Sequence, residues 1–245
     1  MPNGDGAILL LSDVHARYDI VDVQVEHAQQ VLGSAVDQVL VLGDFGLFGD
    51  DLQRHFRRGG RRFSHPVSFI EGNHEDFASF DRLVRDYADV FTHLPRASVQ
   101  RFGASNWLCV GGARYMDAWS TPCGSEIRER DIEACLRHAP GSVDIVISHD
   151  CPSGIGVPSE TALAHLGPPG VPGLALVADH LRPRWWFFGH HHRWHESERA
   201  GTRYCGLPQS WQGYALIDGR GEFRKVERLC HLPGRSRWRR LIGLR

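Results

Sequence analysis

Ala7-Ile8-Leu9-Leu10-Leu11-Ser12-Asp13-Val14-His15 is a five-residue apolar run that breaks abruptly into polar residues. Its length suits a strand buried on both faces and is too short for a core helix. Helix-compatible spacing follows over residues 20–32. The same rhythm returns twice. Residues 38–42 end in Gly43-Asp44 and lead to a charged helix-like stretch, 51–58. Residues 67–70 end in Gly72-Asn73-His74-Glu75 and lead to a helix candidate, 77–87. Short apolar runs alternating with amphipathic segments are the pattern of βαβ units, which build a largely parallel sheet flanked by helices.

The middle of the chain differs. Residues 99–102 and 107–111 read as adjacent strands of a hairpin, and 126–138 as an amphipathic helix. A buried strand at 143–147 ends in Ser148-His149-Asp150. A Pro/Gly-rich loop follows over 152–173. Then come a short helix at 174–181, stopped by Pro183, and a strand at 185–188 ending in Gly189-His190-His191-His192. Segments near 203–205, 214–217 and 222–226 are expected to form an antiparallel return sheet. No internal repeat or domain linker is visible. We therefore expect one domain over 1–230 and a basic tail over 231–245, with Arg235, Arg237, Arg239 and Arg240 around Trp238. Such a tail reads as solvated or disordered.

A chain of 245 residues can bury a substantial core. Its formal net charge of −1 gives no overall bias toward nucleic acid or anionic membrane. Nearly all the positive charge is arginine, with Lys225 the only lysine, which we read as compositional bias. The six cysteines form no close CxxC pair, so reduced, buried thiols are expected rather than a disulfide framework. The run 7–11 is too short for a signal-peptide core or a membrane span. A cytoplasmic protein is the resulting expectation.

Asp13, His15, Asp44, Asn73, His149, His190 and His192 each stand just after an apolar run. In an open parallel sheet the carboxyl ends of the strands share one edge, where ligands bind. Five motifs far apart in sequence therefore converge in space. Carboxylates, imidazoles and an amide oxygen suit divalent metals such as Mn, Fe, Zn or Co, whereas a closed structural zinc site favours cysteine. Asp13-x-His15 and His190-x-His192 each send two donors the same way, because alternate residues leaving a strand share a face. Each motif alone has a plain explanation: a loop polar pair, a turn, a surface histidine run, a hydrogen-bonded core histidine. Their joint occurrence after strand ends favours a metal site.

The order Asp13-x-His15, Gly43-Asp44, Gly72-Asn73-His74-Glu75, Ser148-His149 and Gly189-His190-x-His192 resembles the calcineurin-like metallophosphoesterase family, over residues 11–192. The resemblance implies an α/β fold, a four-layer αββα sandwich with two facing mixed β-sheets. It implies two divalent metal ions, one held by Asp13, His15 and His192, the other by Asn73, His149 and His190, with Asp44 shared. Asp44 and His74 would be catalytic, His74 as charge stabiliser or general acid, and His191 a non-ligand between two ligands. The chemistry so implied is in-line attack of a metal-bridging hydroxide on a phosphate ester, with no covalent enzyme intermediate.

One departure bears on substrate. Many phosphoserine/threonine phosphatases of the family carry an Asp-Arg pair shortly after Gly-Asp. Here the stretch reads Gly43-Asp44-Phe45-Gly46-Leu47-Phe48-Gly49-Asp50-Asp51, with no arginine. A diester or nucleotide-type substrate is therefore expected ahead of a phosphoprotein. His74, Asn73 and Arg114 are the candidate substrate contacts. Trp119, Trp194 and Trp211 stand in loop or strand-end contexts that suit either base stacking or packing. The contrasting class is a catalytically silent scaffold that keeps the fold. Such chains usually have ligands replaced, and here every position is filled. A nucleic-acid-binding module would need a broad basic face, which the charge balance does not supply.

Overall fold

Strands β1 (Ala7–Leu11), β2 (Val36–Leu42), β3 (Val67–Ile70) and β4 (Thr92–His93) run parallel in the first of two six-stranded mixed sheets. The computed structural model describes residues 6–159 and 167–230. The basic tail read at 231–245 and residues 160–166 of the Pro/Gly-rich stretch lie outside them. The second sheet has β5 (Ser98–Phe102), β6 (Ser105–Val110), β7 (Ile145–Ser148), β8 (Trp185–Phe188), β9 (His195–Arg199) and β10 (Thr202–Gly206). Strands β6, β7, β8 and β10 are parallel. The hairpin β11 (Gly213–Ile217) and β12 (Phe223–Glu227) returns to the first sheet, antiparallel to β1. The orders are β12-β11-β1-β2-β3-β4 and β5-β6-β7-β8-β10-β9.

Side-chain alternation makes the layers. Ile8, Leu10, Leu40, Leu42 and Ile70 meet Trp107, Cys109, Ile145, Ile147 and Phe187 between the sheets. The alternate residues Leu9, Leu11, Val39, Val41 and Phe69 face outward into a second cluster. There helix α1 (Asp19–Leu32) buries Ile20, Val21, Val25 and Ala28 before stopping at Gly33, whose φ of 68° suits a residue without Cβ. On the far side, Val146, Trp186 and Phe188 pack with residues of α4 (Glu129–Leu136) and α5 (Pro172–Leu181). The result is the expected αββα sandwich. Burial on both faces is why the strands read as unbroken apolar runs rather than alternating ones.

Several local expectations are corrected. The helix read at 51–58 is a short α-helical turn, α2 (Gly49–Leu52), running into π-helical Gln53–Arg58; α3 is Phe80–Asp86. Pro172-Gly173 opens α5 instead of ending the loop, since proline's fixed φ suits a first helical turn. The supposed return sheet is divided: β10 joins the second sheet beside β8, and only β11 and β12 return to the first. Strand β9, His-Glu-Ser-Glu-Arg, has no apolar pattern because it is a charged edge strand.

One polar network fastens the two halves. Glu71, just past β3, is buried and accepts hydrogen bonds from His93 Nε2 (2.7 Å) and Arg96 Nε (2.5 Å). Arg96 also donates to the Glu126 and Gly124 carbonyls and to Asp131 of α4 (3.1 Å). Burial alone would raise the Glu71 carboxyl, but His93 and Arg96 outweigh it and hold it down to about 2. A depressed carboxylate contributes stability above its unfolded value and loses it as pH falls through the folded one. We predict that acid unfolding steepens between about pH 4.5 and 2. Glu71→Gln should flatten that limb and cost on the order of 3 kcal/mol at neutral pH, read by urea unfolding at several pH values.

Candidate metal centre at the facing sheet edges

The carboxyl ends of both parallel sets point to the same end of the sandwich. Asp13 follows β1, Asp44 follows β2 and Asn73 follows β3, while His149 follows β7 and His190 follows β8. All seven residues expected from the sequence meet there. Five of them, Asp13, His15, Asp44, His190 and His192, have φ between 47° and 64°, the left-handed region that costs most side chains energy. The backbone turns sharply at each strand end to aim the donor atoms inward. Two preceding glycines are fixed by this crowding. A Cβ on Gly43 would strike the His149 ring, and one on Gly72 would strike the Asp44 carboxylate.

Asp13 is fully buried. Its Oδ2 accepts from Ser12 Oγ (2.5 Å) and the His190 backbone N–H (3.2 Å). Its Oδ1 faces His192 Nε2 at 3.1 Å and His15 Nε2 at 3.9 Å. Donor atoms of Asp13, His15, Asp44 and His192 all lie within 4.8 Å of one another. On the other side, His149 Nε2 is 3.0 Å from Asn73 Oδ1 and 3.4 Å from Asp44 Oδ1. The His190 ring centroid lies 5.0 Å from that of His149. Asp44 stands between the groups. Its Oδ1 accepts the His74 N–H at 2.8 Å, and its Oδ2 lies 3.8 Å from His15 Nε2.

The donor chemistry fits cations here. His149 Nδ1 lies 2.8 Å from the Leu42 carbonyl, an acceptor only, so Nδ1 carries the proton. Asn73 Nδ2 donates to the Ser120 carbonyl, which turns Oδ1 toward His149. In the neutral ring, the Nε2 lone pair then faces two oxygen acceptors. Asp44 Oδ2 is buried and has no hydrogen-bond partner among the described residues. Lone pairs converging in a buried space are what a cation relieves. Burial lowers His15 and lowers His190 to about 4, which leaves both rings neutral at pH 7, the form that ligates. Burial raises Asp13 and Asp44, but the surrounding histidines hold both below the usual carboxylate range.

His74 edges the opening, its ring 5.6 Å from that of His15. His191 is turned away from the cluster. Its Nε2 lies 3.1 Å from Asp150 Oδ1 and 3.3 Å from Cys151 Sγ. Arg114 lines a cavity of about 220 Å³ with Asp150, His190, His191, His192 and parts of the Pro/Gly-rich loop. Its Nη1 donates to the Pro168 carbonyl at 2.8 Å. That loop is closed at its neck by a bridge between Pro152 and Val171, which places it beside the centre as its starting point after His149 requires. Trp194 lies under Lys225 and Trp211 under Arg17, while Trp119 is 79% exposed.

Two supporting residues escape a reading of the motifs. Glu75 is buried and accepts the backbone N–H groups of Phe45 (2.9 Å), Gly46 (3.0 Å) and Leu47 (2.5 Å), fixing the turn that carries Asp44. Asp150 accepts the N–H of Arg114 (2.9 Å) and holds His191. Both end a quoted motif, so an acid closing each motif was the available signal.

The family model for calcineurin-like phosphoesterases matches residues 6–194, and the chain belongs to that family. No curated protein is matched by the sequence. One solved structure superposes with a TM-score of 0.66 at 12% identity, covering 90% of this chain and 98% of that one. The TT1561 protein of Thermus thermophilus gives 0.60 at 13% identity, covering 91% and 98%. The sulfate thiohydrolase SoxB of the same organism, in complex with glycerol, gives 0.54 at 14%, covering 99% of this chain and 60% of SoxB. These likenesses establish the shared fold.

Glu75→Ala would strand three buried N–H groups, each costing about 1–3 kcal/mol when unsatisfied. We expect a loss of several kcal/mol in urea unfolding, with Glu75→Gln recovering only part of it. Near wild-type stability of Glu75→Ala would contradict this role.

Proposed function

We propose that this phosphoesterase hydrolyses its substrate with two divalent cations. One is held by Asp13, His15 and His192, the other by Asn73, His149 and His190, and Asp44 is shared. The single observation that carries this reading is Asp44: a buried carboxylate set between the two groups, one oxygen directed to each. When bound, such a pair polarises a phosphoryl oxygen and makes water a usable nucleophile near neutral pH. The chain's own residues do the rest. Asp44 sets the spacing of the two groups, and the His74 N–H fixes Asp44 Oδ1. The His74 ring, at the opening, donates a hydrogen bond to a phosphoryl oxygen or a proton to the departing oxygen. Asn73, its amide turned by Ser120, presents one oxygen to the centre. Arg114 forms the cavity wall that meets the substrate's remaining bulk.

We favour a diester or nucleotide-type substrate over a phosphoprotein. The turn after Asp44 packs Phe45 and Leu47 fully into the core and offers no cation there. We take 1–230 as the catalytic unit and manganese, iron, zinc or cobalt as the metal. We also propose a cytoplasmic setting, which the six free cysteines suit. No helix among the described residues is long and apolar enough to cross a membrane.

The test is turnover of matched aryl phosphate monoesters and diesters by metal-stripped protein with and without added Mn²⁺. Asp44→Asn and His74→Ala serve as variants. We expect metal-dependent hydrolysis, a faster diester, and losses on the order of 100-fold or more in each variant. Two bound ions per chain with no turnover of either ester would favour the silent scaffold, and failure to bind metal would sink the ligand assignment.

A further inference from the structure

The 43–51 turn carries no arginine or lysine, so a guanidinium at this opening has to come from another element. We infer that Arg17, seated on the face of Trp211, is the guanidinium that receives a phosphate oxygen of the substrate. This rests on the phosphoesterase reading above and deepens it.

Three observations carry it. The first is position. The His15 ring is ringed at its outer side by His192 at 5.5 Å, His74 at 5.6 Å and Trp211 at 6.3 Å between centroids. Trp211 is thus part of the wall of the candidate centre, and Arg17 lies two residues beyond His15.

The second is the state of the guanidinium. Arg17 Cζ lies 4.3 Å from the Trp211 ring centroid. Its backbone N–H donates to the Val14 carbonyl, but among the described residues its guanidinium makes no hydrogen bond or ion pair. Other arginines are engaged otherwise. Arg96 is paired with Glu71, Arg57 with Asp89, and Arg114 is tied to the Pro168 carbonyl. Stacking satisfies the face of a guanidinium and leaves its in-plane N–H fork for a partner of carboxylate or phosphate geometry. Arg17 is only partly exposed, which limits the room its side chain has to move off the ring.

The third is rigidity. The loop bearing Trp211 is pinned where an anchor would need it. Gln24 of α1 donates to the Ser210 carbonyl at 2.7 Å, fully buried, and the Cys230 N–H donates to the Trp211 carbonyl at 2.7 Å. The opposite partner leaves a turn in which Ala16 has a φ of 59° and donates to the Phe45 carbonyl at 3.1 Å. Both halves of the pair are therefore set before substrate arrives, which spares the ordering cost of a long side chain. Trp211 is a positioning residue; Arg17 is the group that touches substrate.

The experiment compares wild type with Arg17→Ala, Arg17→Lys and Trp211→Leu, and with Arg101→Ala, the exposed residue of β5, as control. Turnover is measured on an aryl monoester, an aryl diester and a nucleoside diphosphate. Binding of inorganic phosphate to the metal-loaded protein is measured by calorimetry, and folding by circular dichroism. Arg17→Ala should raise KM and weaken phosphate binding by roughly 10- to 100-fold, with kcat changing less. Arg17→Lys should recover part, Trp211→Leu should shift the same quantities less, and Arg101→Ala should match wild type. A larger loss on the monoester than on the diester places the contact on the reacting phosphoryl group. A larger loss on the diphosphate places it on the neighbouring phosphate. Unchanged KM and phosphate affinity in folded Arg17→Ala overturns the inference. Phosphate binding that depends on Arg17 in a protein without turnover would uphold it and reject the hydrolase reading alone.

Discussion

A carboxylate at the bottom of a crowded edge is costly, and the top of this sandwich is organised around meeting that cost at Asp44. A buried carboxylate with one partnerless oxygen is unfavourable by the ordinary rules of desolvation. The strands converge so that imidazoles, an amide oxygen and a second carboxylate surround it. Gly43 and Gly72 are needed because nothing larger fits beside it. Glu75 then braces the turn that carries it, and His74 is placed by the N–H that Asp44 accepts.

The sheets themselves are held by a different logic. Between them lies a dry layer of leucine, isoleucine and aromatic side chains, and at its seam the Glu71–Arg96 network ties β3 to α4. Apolar burial provides most of the attraction, while Arg96 joins Glu71, just past β3 of the first sheet, to Asp131 in the helix covering the second. The candidate site inherits its precision from this seam, since each group of donors draws on both sheets: Asp13 and His15 from the first with His192 from the second, and Asn73 from the first with His149 and His190 from the second.

Much of this was legible from residues alone. Strands β1, β3 and β8 have unmistakable apolar runs because both of their faces are buried, and the polar residues that follow each run mark one edge. The seven candidate donors were readable for the same reason. What was not legible lacked a local pattern. Strand β9 carries only polar residues, because its partner on one side and solvent on the other demand no apolar face. The division of β10 from β11 and β12 depends on which sheet has a free edge, a long-range property. Glu75 and Asp150 close two of the quoted motifs, but the backbone groups and the histidine they hold lie far off in the chain, so their position was legible and their bracing role was not. Arg17 was passed over because stacking on Trp211 joins residues far apart in the chain.

The pinched neck at Pro152 and Val171 has a thermodynamic consequence. Once the two ends of a loop are fixed together, lengthening what lies between them adds only a slowly growing entropy cost, about 0.6 kcal/mol for each doubling. Changes of length between the two fixed ends therefore put little entropic load on the strands that carry the donors. Segments of other lengths and compositions fit behind the same neck at small cost, so the wall of the cavity can be altered while the strand ends that carry the candidate donors keep their places.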